Sequence, residues 1–268
     1  ELIVIVGDSN DGTKEALETL SVNDSKIKLI DSVWDEDLRT GGKIFAIQSN
    51  LGLNEISGDW AFHLQVDEVL HEKDLSAILK NVELADKNSN IDGILLPYYH
   101  FWGDYNHIRN TRRTHAWEVR IFKNKGIVRS YKDSQGFRKF NSLREYQNGA
   151  NGTKLNVIKS HTPIYHYSYS RNPSLMKKKS EYFHKFWHND EWVKKFEQLP
   201  FDYNEVDKLE VFKGTHPDFM KDAIAKQDWE FKYDPSKSTM KLKDKFLYWF
   251  EKKFNYRLFE YKNYNLVK

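Results

Sequence analysis

Three short stretches carry side chains that could do chemistry. In "GDSNDGT", Asp8, Ser9 and Asp11 crowd a turn directly after an apolar run. Carboxylates there can accept hydrogen bonds from a nucleobase N–H or ribose hydroxyls, or cap the helix that follows. In "GDWAFHLQVDEVLHE", an apolar run ends in Gln65, Val66, Asp67 and Glu68. Neighbouring strand residues point to opposite faces. Asp67 and Glu68 therefore do not make the paired acid and base of a glycosidase, where both carboxyls face one bond. One of them, aimed into a cleft, can hold Mg²⁺ or Mn²⁺, which take oxygen ligands and share them with substrate phosphates. The competing use is an acidic residue complementing a helix N-terminus. In "IYHYSYSR", His166 offers an imidazole that can complete a Mn²⁺ shell, against a structural role for a lone histidine. His63, His100, His107 and His115 are read as structural or surface residues.

The elements that must position these groups follow from the apolar pattern. "LIVIV" at 2–6 reads as a strand covered on both faces, followed by a turn and a helix in "KEALETL". "KIKLI" (26–30), "WAFHL" (60–64), "DGILLPYYHF" (92–101) and "EVRIF" (118–122) read as further strands. Helices are expected over 45–56 and 74–85, the second capped by Asp74. Strands alternating with helices predict an α/β fold with a mainly parallel sheet. Ligands bind beyond the carboxyl ends of such strands, so Asp8/Asp11 and Asp67/Glu68 are expected to line one cleft. Residues 143–156 read as a loop, and 164–171 as an exposed or edge strand. From Pro173 onward helical patterns dominate, with a soft boundary near residue 170. The division is a catalytic unit over 1–170 and a helical, aromatic-rich extension over 171–268 that packs on it.

Composition narrows the classes. The 268 residues suffice for one large domain or two small ones, and a mean hydropathy of −0.76 with no apolar run near the roughly 20 residues of a membrane helix excludes a spanning protein. A net charge of +3 is too small to argue for nucleic acid. The absence of cysteine excludes disulfides and thiolate metal sites and fits a reducing compartment. No signal peptide is visible, so a cytoplasmic location is expected. The chain begins at Glu1 already inside a strand, and a further segment is expected upstream.

In this order, the pieces "IVIVGDSNDGT", "GGKIFAIQSNLGLNEISGDWAFHLQVDEVL", "EVRIF", "YKDSQGF" and "IYHYSYSR…KKKSEYF" resemble the family-2 glycosyltransferases, inverting enzymes of the GT-A fold. The similarity covers roughly residues 1–182. It implies a GT-A sheet, a nucleotide-diphosphate-sugar donor, a hydroxyl acceptor such as a glycan, and a bound Mn²⁺ or Mg²⁺. It places Asp67 on the metal with His166 as a second ligand, Asp8 and Asp11 at the nucleoside, and Gln65, where the family carries the first Asp of Asp-x-Asp, at the ribose or a bound water. Asp133 occupies the place of the general base, which must remove the acceptor proton, with Glu118 next in line. Arg112, Arg113 and Arg120 become candidates for phosphate contact, against a solvated basic face.

Two rivals stand beside this reading: a sugar-phosphate nucleotidyltransferase, and a non-catalytic carbohydrate- or nucleic-acid-binding protein on the same fold. A last feature is the stretch 241–268, with eight Lys and Arg against three acids. Leu242, Phe246, Trp249, Phe250 and Phe254 form a helical stripe there. Such a helix can lie on an anionic membrane surface as a peripheral contact. The expectation is that it docks on its own domain, as most amphipathic helices do.

Overall fold

The computed structural model describes residues 1–7, 9–35, 38, 41–125, 127–132, 134 and 136–267. The strands are β1 (Leu2–Val6), β2 (Ile27–Asp31), β3 (Trp60–Phe62), β4 (Glu68–Leu70), β5 (Gly93–Trp102), β6 (His107–Ile108), β7 (Trp117–Lys123), β8 (Ile127–Ser130), β9 (Phe137–Phe140), β10 (Thr153–Lys159), β11 (Ile164–Tyr169), β12 (Glu210–Val211) and β13 (Tyr264–Leu266). The helices are α1 (Thr13–Asn23), α2 (Lys43–Glu55), α3 (Leu75–Asp86), α4 (Leu143–Gln147), α5 (Pro173–His184), α6 (Asp190–Glu197), α7 (Lys221–Ala225) and α8 (Leu242–Phe254).

The fold is mixed α/β, but its main sheet is mostly antiparallel, which corrects the mainly parallel expectation. β1 and β2 pair in parallel as a separate two-stranded sheet. Among the described residues, the other eleven strands share one sheet built around β5. β7 runs antiparallel along the first half of β5, and β3 runs antiparallel to β7. β10 and β11 lie parallel to β5 at its two ends, and β4 closes antiparallel on β11. The alternation rule assumed that every strand after a helix runs the same way. From β5 to β9 no helix intervenes between successive strands among the described residues, and short connections return the chain antiparallel.

β5 holds the centre because seven of the ten residues in "GILLPYYHFW" are buried and none is exposed. Its first half packs Leu95 against Val119, Phe122, Leu155 and Val157. Its opposite face packs Ile94, Leu96 and Tyr98 against Ile78 of α3, Ile121 and Ile164. Gly93 opens the strand because a Cβ there would meet the Ile121 carbonyl at 2.6 Å, closer than β7 could tolerate.

Two further readings change. Residues 143–156 are α4 and the start of β10, where a loop was expected. Ser142 accepts from the Glu145 N–H at 3.1 Å, and Glu145 reaches back to the Asn141 N–H at 2.7 Å, a capping-box arrangement that starts a helix. β11 is an inner strand between β4 and β5. Its alternation separates two buried environments: Tyr165 and Tyr167 pack with Phe101 and Met220, while His166 and Ser168 face polar groups. Beyond Pro173 the helices are joined by irregular chain, and β12 and β13 add to the main sheet through β6 and β10. α8 docks, but through Leu247 and not through its aromatic stripe. Among the described residues, no helix is long and apolar enough to cross a membrane.

Candidate active site

The turn before β4 sends its two carboxylates to different places. Glu68 is buried and receives Arg120 Nη2 at 2.7 Å and the Tyr98 hydroxyl at 2.9 Å on one oxygen. Its other oxygen accepts from the Gln65 N–H at 3.0 Å. Arg120 also donates through Nε to the Tyr98 hydroxyl and through Nη1 to His63 Nδ1 at 3.2 Å. All three guanidinium nitrogens are engaged, and the residue is only 4% exposed. Burial opposes its charge, yet Tyr98, Glu68 and Glu118 outweigh that and hold it firmly cationic. Arg120 is thus placed to fix the turn, not to reach out to a phosphate.

His63 extends the network. It accepts from Arg120 on Nδ1, so its proton sits on Nε2 and is donated to Ser49 Oγ at 3.2 Å. Ser49 in turn donates to the Phe45 carbonyl at 2.9 Å. Burial, with the Arg120 charge beside it, pushes His63 down to about 3, so the ring is neutral.

Asp67 points elsewhere. Its Oδ1 lies 3.6 Å from His166 Nε2 and its Oδ2 3.1 Å from Lys179 Nζ on α5. Register explains the first contact: β11 pairs His166 with Glu68 across from β4, and the Tyr167 N–H donates to the Asp67 carbonyl at 2.8 Å. Lys179 is also held by Ser168, at 2.8 Å to its hydroxyl and 3.3 Å to its carbonyl. Burial works to raise the Asp67 carboxyl, but His166 and Lys179 outweigh it and keep it well below the usual carboxylate range.

The orientation of His166 follows from a relay behind it. His100 Nε2 lies 2.8 Å from the His115 carbonyl, which only accepts, so that nitrogen carries the proton. Burial pushes His100 down to about 3, so the ring is neutral and its Nδ1 is a bare acceptor. His166 Nδ1, 2.8 Å away, must then be the donor. Nε2 faces Asp67, and a cation seated between them would take the place of the proton through which this histidine lowers the Asp67 carboxyl. A ligating histidine is typically oriented this way, by donating its other N–H to a second-shell acceptor.

This arrangement fits a divalent cation between Asp67 and His166. The chain supplies one carboxylate and one imidazole; among the described residues no group of three or more metal-ligating side chains occurs. The remaining positions would fall to water and to substrate phosphates, as is usual for Mg²⁺ and Mn²⁺ sites. Lys179 is the cation already at Asp67, and it went unnoticed in the sequence because nothing in "LMKKKSEYF" distinguishes it from the lysines on either side.

Beside the cluster lies a cavity of about 400 Å³ lined by Arg112, Arg113, His115, Trp117, Glu118 and Arg257, among others. The His115 ring is shared: it packs edge-on against Tyr98 and His100. Arg112 donates one nitrogen to the Leu258 carbonyl, while its Nη1 is buried without a hydrogen-bond partner. Arg113 is held loosely by Asp244 at 3.9 Å.

The other expected site residues stand as follows. Gln65 has an exposed side chain and contributes its backbone N–H to Glu68. Asp11 is exposed and accepts from the Thr13 N–H and hydroxyl at 3.1 and 2.7 Å, the local cap of a helix start. Its strand belongs to a different sheet from β4, so the shared-sheet premise for a single cleft does not hold. Asp8 and Asp133 lie outside the described residues. Lys132 and Ser134, on either side of Asp133, have φ of 55° and 67°, a conformation non-glycine residues rarely take. Ser134 Oγ lies 3.3 Å from Ser130 Oγ and 3.5 Å from Ser49 Oγ, next to the His63 relay. No protein-family model matches the chain, and a search of curated proteins finds no match.

Proposed function

We propose that the chain is a metal-dependent, inverting glycosyltransferase that moves a sugar from a nucleotide-diphosphate donor to an acceptor hydroxyl, as in glycan synthesis. The observation that supports it best is the meeting of Asp67 and His166. Two residues far apart in sequence converge at 3.6 Å, with the imidazole oriented by a relay of two hydrogen bonds. The parallel β1–α1–β2 unit and the β3–β7–β5 arrangement are compatible with a GT-A sheet, which is part of the same proposal.

In this reading Asp67 and His166 hold Mn²⁺ or Mg²⁺. The cation would stabilise charge developing on the departing diphosphate. Arg112 and Arg113, on the cavity wall, bring guanidinium forks suited to phosphate oxygens. Arg120 acts through Glu68 by keeping the Gln65–Asp67 turn in place. Asp133 takes the proton from the acceptor hydroxyl as the new glycosidic bond forms, and its strained neighbours are the kind of backbone found at functional sites. Glu118, on the cavity wall, is the second candidate for that proton.

A thermal-shift screen of nucleotide sugars tests the reading, because a ligand that binds the native state raises apparent stability by mass action. At least one nucleotide sugar should raise the melting temperature with Mn²⁺ and not with EDTA, and should be slowly hydrolysed without acceptor. A screen in which no nucleotide sugar stabilises the protein with Mn²⁺, or in which stabilisation is equal with EDTA, would overturn it.

A further inference from the structure

α8 turns its apolar face outward. Leu242, Phe246, Trp249 and Phe254 are 84, 57, 51 and 53% exposed, and Leu247 alone in the helix is buried. At 3.6 residues per turn, Leu242, Phe246, Trp249 and Phe250 fall within an arc of about 100°. The rings pack on one another, with Phe246 5.9 Å from Trp249 and Phe250 4.5 Å from Phe254. An ordinary amphipathic helix points such a stripe at the core. Here the core-side face is polar: Asp244 faces Arg113, Glu251 pairs with Arg257 at 2.7 Å, and Tyr248 donates to Glu210 at 2.6 Å.

The charge is sorted in the same way. Residues 241–253 hold five lysines and two acids, and both acids face arginines of the body. Lys252 is also tied down, by Glu210 at 2.6 Å. Lys241, Lys243, Lys245 and Lys253 remain exposed around the aromatic stripe. Lys253 lies within the stripe, its ammonium 5.0 Å from the Trp249 ring, on a stem long enough to reach past the rings to a headgroup.

We propose that α8 is a membrane-surface helix that lays Leu242, Phe246, Trp249 and Phe250 into the headgroup boundary of an anionic bilayer, its lysines meeting lipid phosphates. An outward aromatic face rimmed by lysine is the pattern of an interfacial helix, and each lysine near an anionic surface adds attraction that salt screens. Charge complementarity favours lipid over a second copy of the chain, because two such faces would bring their lysines together. The acceptor of a membrane-bound glycosyltransferase would then be presented at the same surface; the lipid contact itself does not depend on that chemistry.

Co-sedimentation of the full chain with vesicles tests it. Vesicles of phosphatidylcholine with 30% phosphatidylserine should pellet the protein at about 0.1 M salt, and phosphatidylcholine alone should not. Phe246→Ser with Trp249→Ser should reduce binding at least about tenfold. Lys243→Glu with Lys245→Glu should do so in a salt-dependent way. Because these side chains are exposed, circular dichroism should show unchanged folds. No binding to the anionic vesicles, or equal binding by the Phe246/Trp249 variant, would overturn the proposal. So would light scattering that finds a dimer which Trp249→Ser converts to monomer, since the face would then join two copies.

Discussion

Asp67 and Glu68 are adjacent, and the chain uses them in opposite ways. Glu68 is sealed among Arg120, Tyr98 and the Gln65 N–H, every contact internal. Asp67 sits in the turn before it, with side-chain exposure of 15%, against a histidine and a lysine. A carboxylate balanced by a fixed guanidinium in the interior has no valence left for a ligand. One held by a histidine and by a lysine whose side chain is 31% exposed lies where a partner can exchange. The division is made where the turn at Val66–Asp67 enters β4 at Glu68, and the sealed half holds the open half in position.

The comparison breaks most visibly under Arg120→Met, which leaves Glu68 buried and uncompensated. Folding stability should fall by about 3–5 kcal/mol in urea unfolding, and by less in Asp67→Asn, which leaves no buried charge uncompensated. Equal costs would mean that both carboxylates are structural. Next in size is Asp133→Asn, expected to lower turnover about 10²-fold or more with donor affinity unchanged. Normal transfer by that variant would shift the base to Glu118.

Acid should act on the sealed half. His63 is held near 3 in the fold against about 6.5 when unfolded, so the unfolded chain takes up the proton first. The stabilising contribution is complete above about pH 6.5 and is lost as pH falls toward 3. Between pH 7 and 5.5 this amounts to about 1 kcal/mol, visible as a lower urea midpoint. His63→Gln should remove its share of that slope and leave the share of His100, which burial likewise holds near 3. The smallest effect expected is that of Lys179→Gln. With no ammonium competing for Oδ2, Mn²⁺ affinity should rise about fivefold, the scale of a partly exposed ion pair. Unchanged affinity would remove Lys179 from the ion balance of the site.

Much of this contrast was legible in the sequence. The split between Asp67 and Glu68 was expected from strand alternation, but Asp67 lies in the turn and only Glu68 in β4; β1, α1, β2, α2, α3, β5 and β7 follow from apolar periodicity. The pairing of His166 with Asp67 came only through resemblance, since register between β4 and β11 is a tertiary fact. Arg120 is only a candidate for phosphate contact in the sequence; that it uses its guanidinium on Glu68, Tyr98 and His63 does not show in a linear pattern. The inner position of β11 was hidden for a related reason: alternation marks two different faces, and it does not say that one of them is water. α4 has a signal in the sequence, the Ser-x-x-Glu of Ser142 and Glu145, but it lies in a stretch whose Gly and Asn residues otherwise look like loop.

The most direct test of the account is a titration of Mn²⁺ into the protein followed by the electron paramagnetic resonance signal of the free ion. The account predicts one site per wild-type chain, lost in Asp67→Asn and weakened in His166→Gln. Wild-type protein that leaves all the Mn²⁺ free, or Asp67→Asn protein that binds it as wild type does, would contradict it.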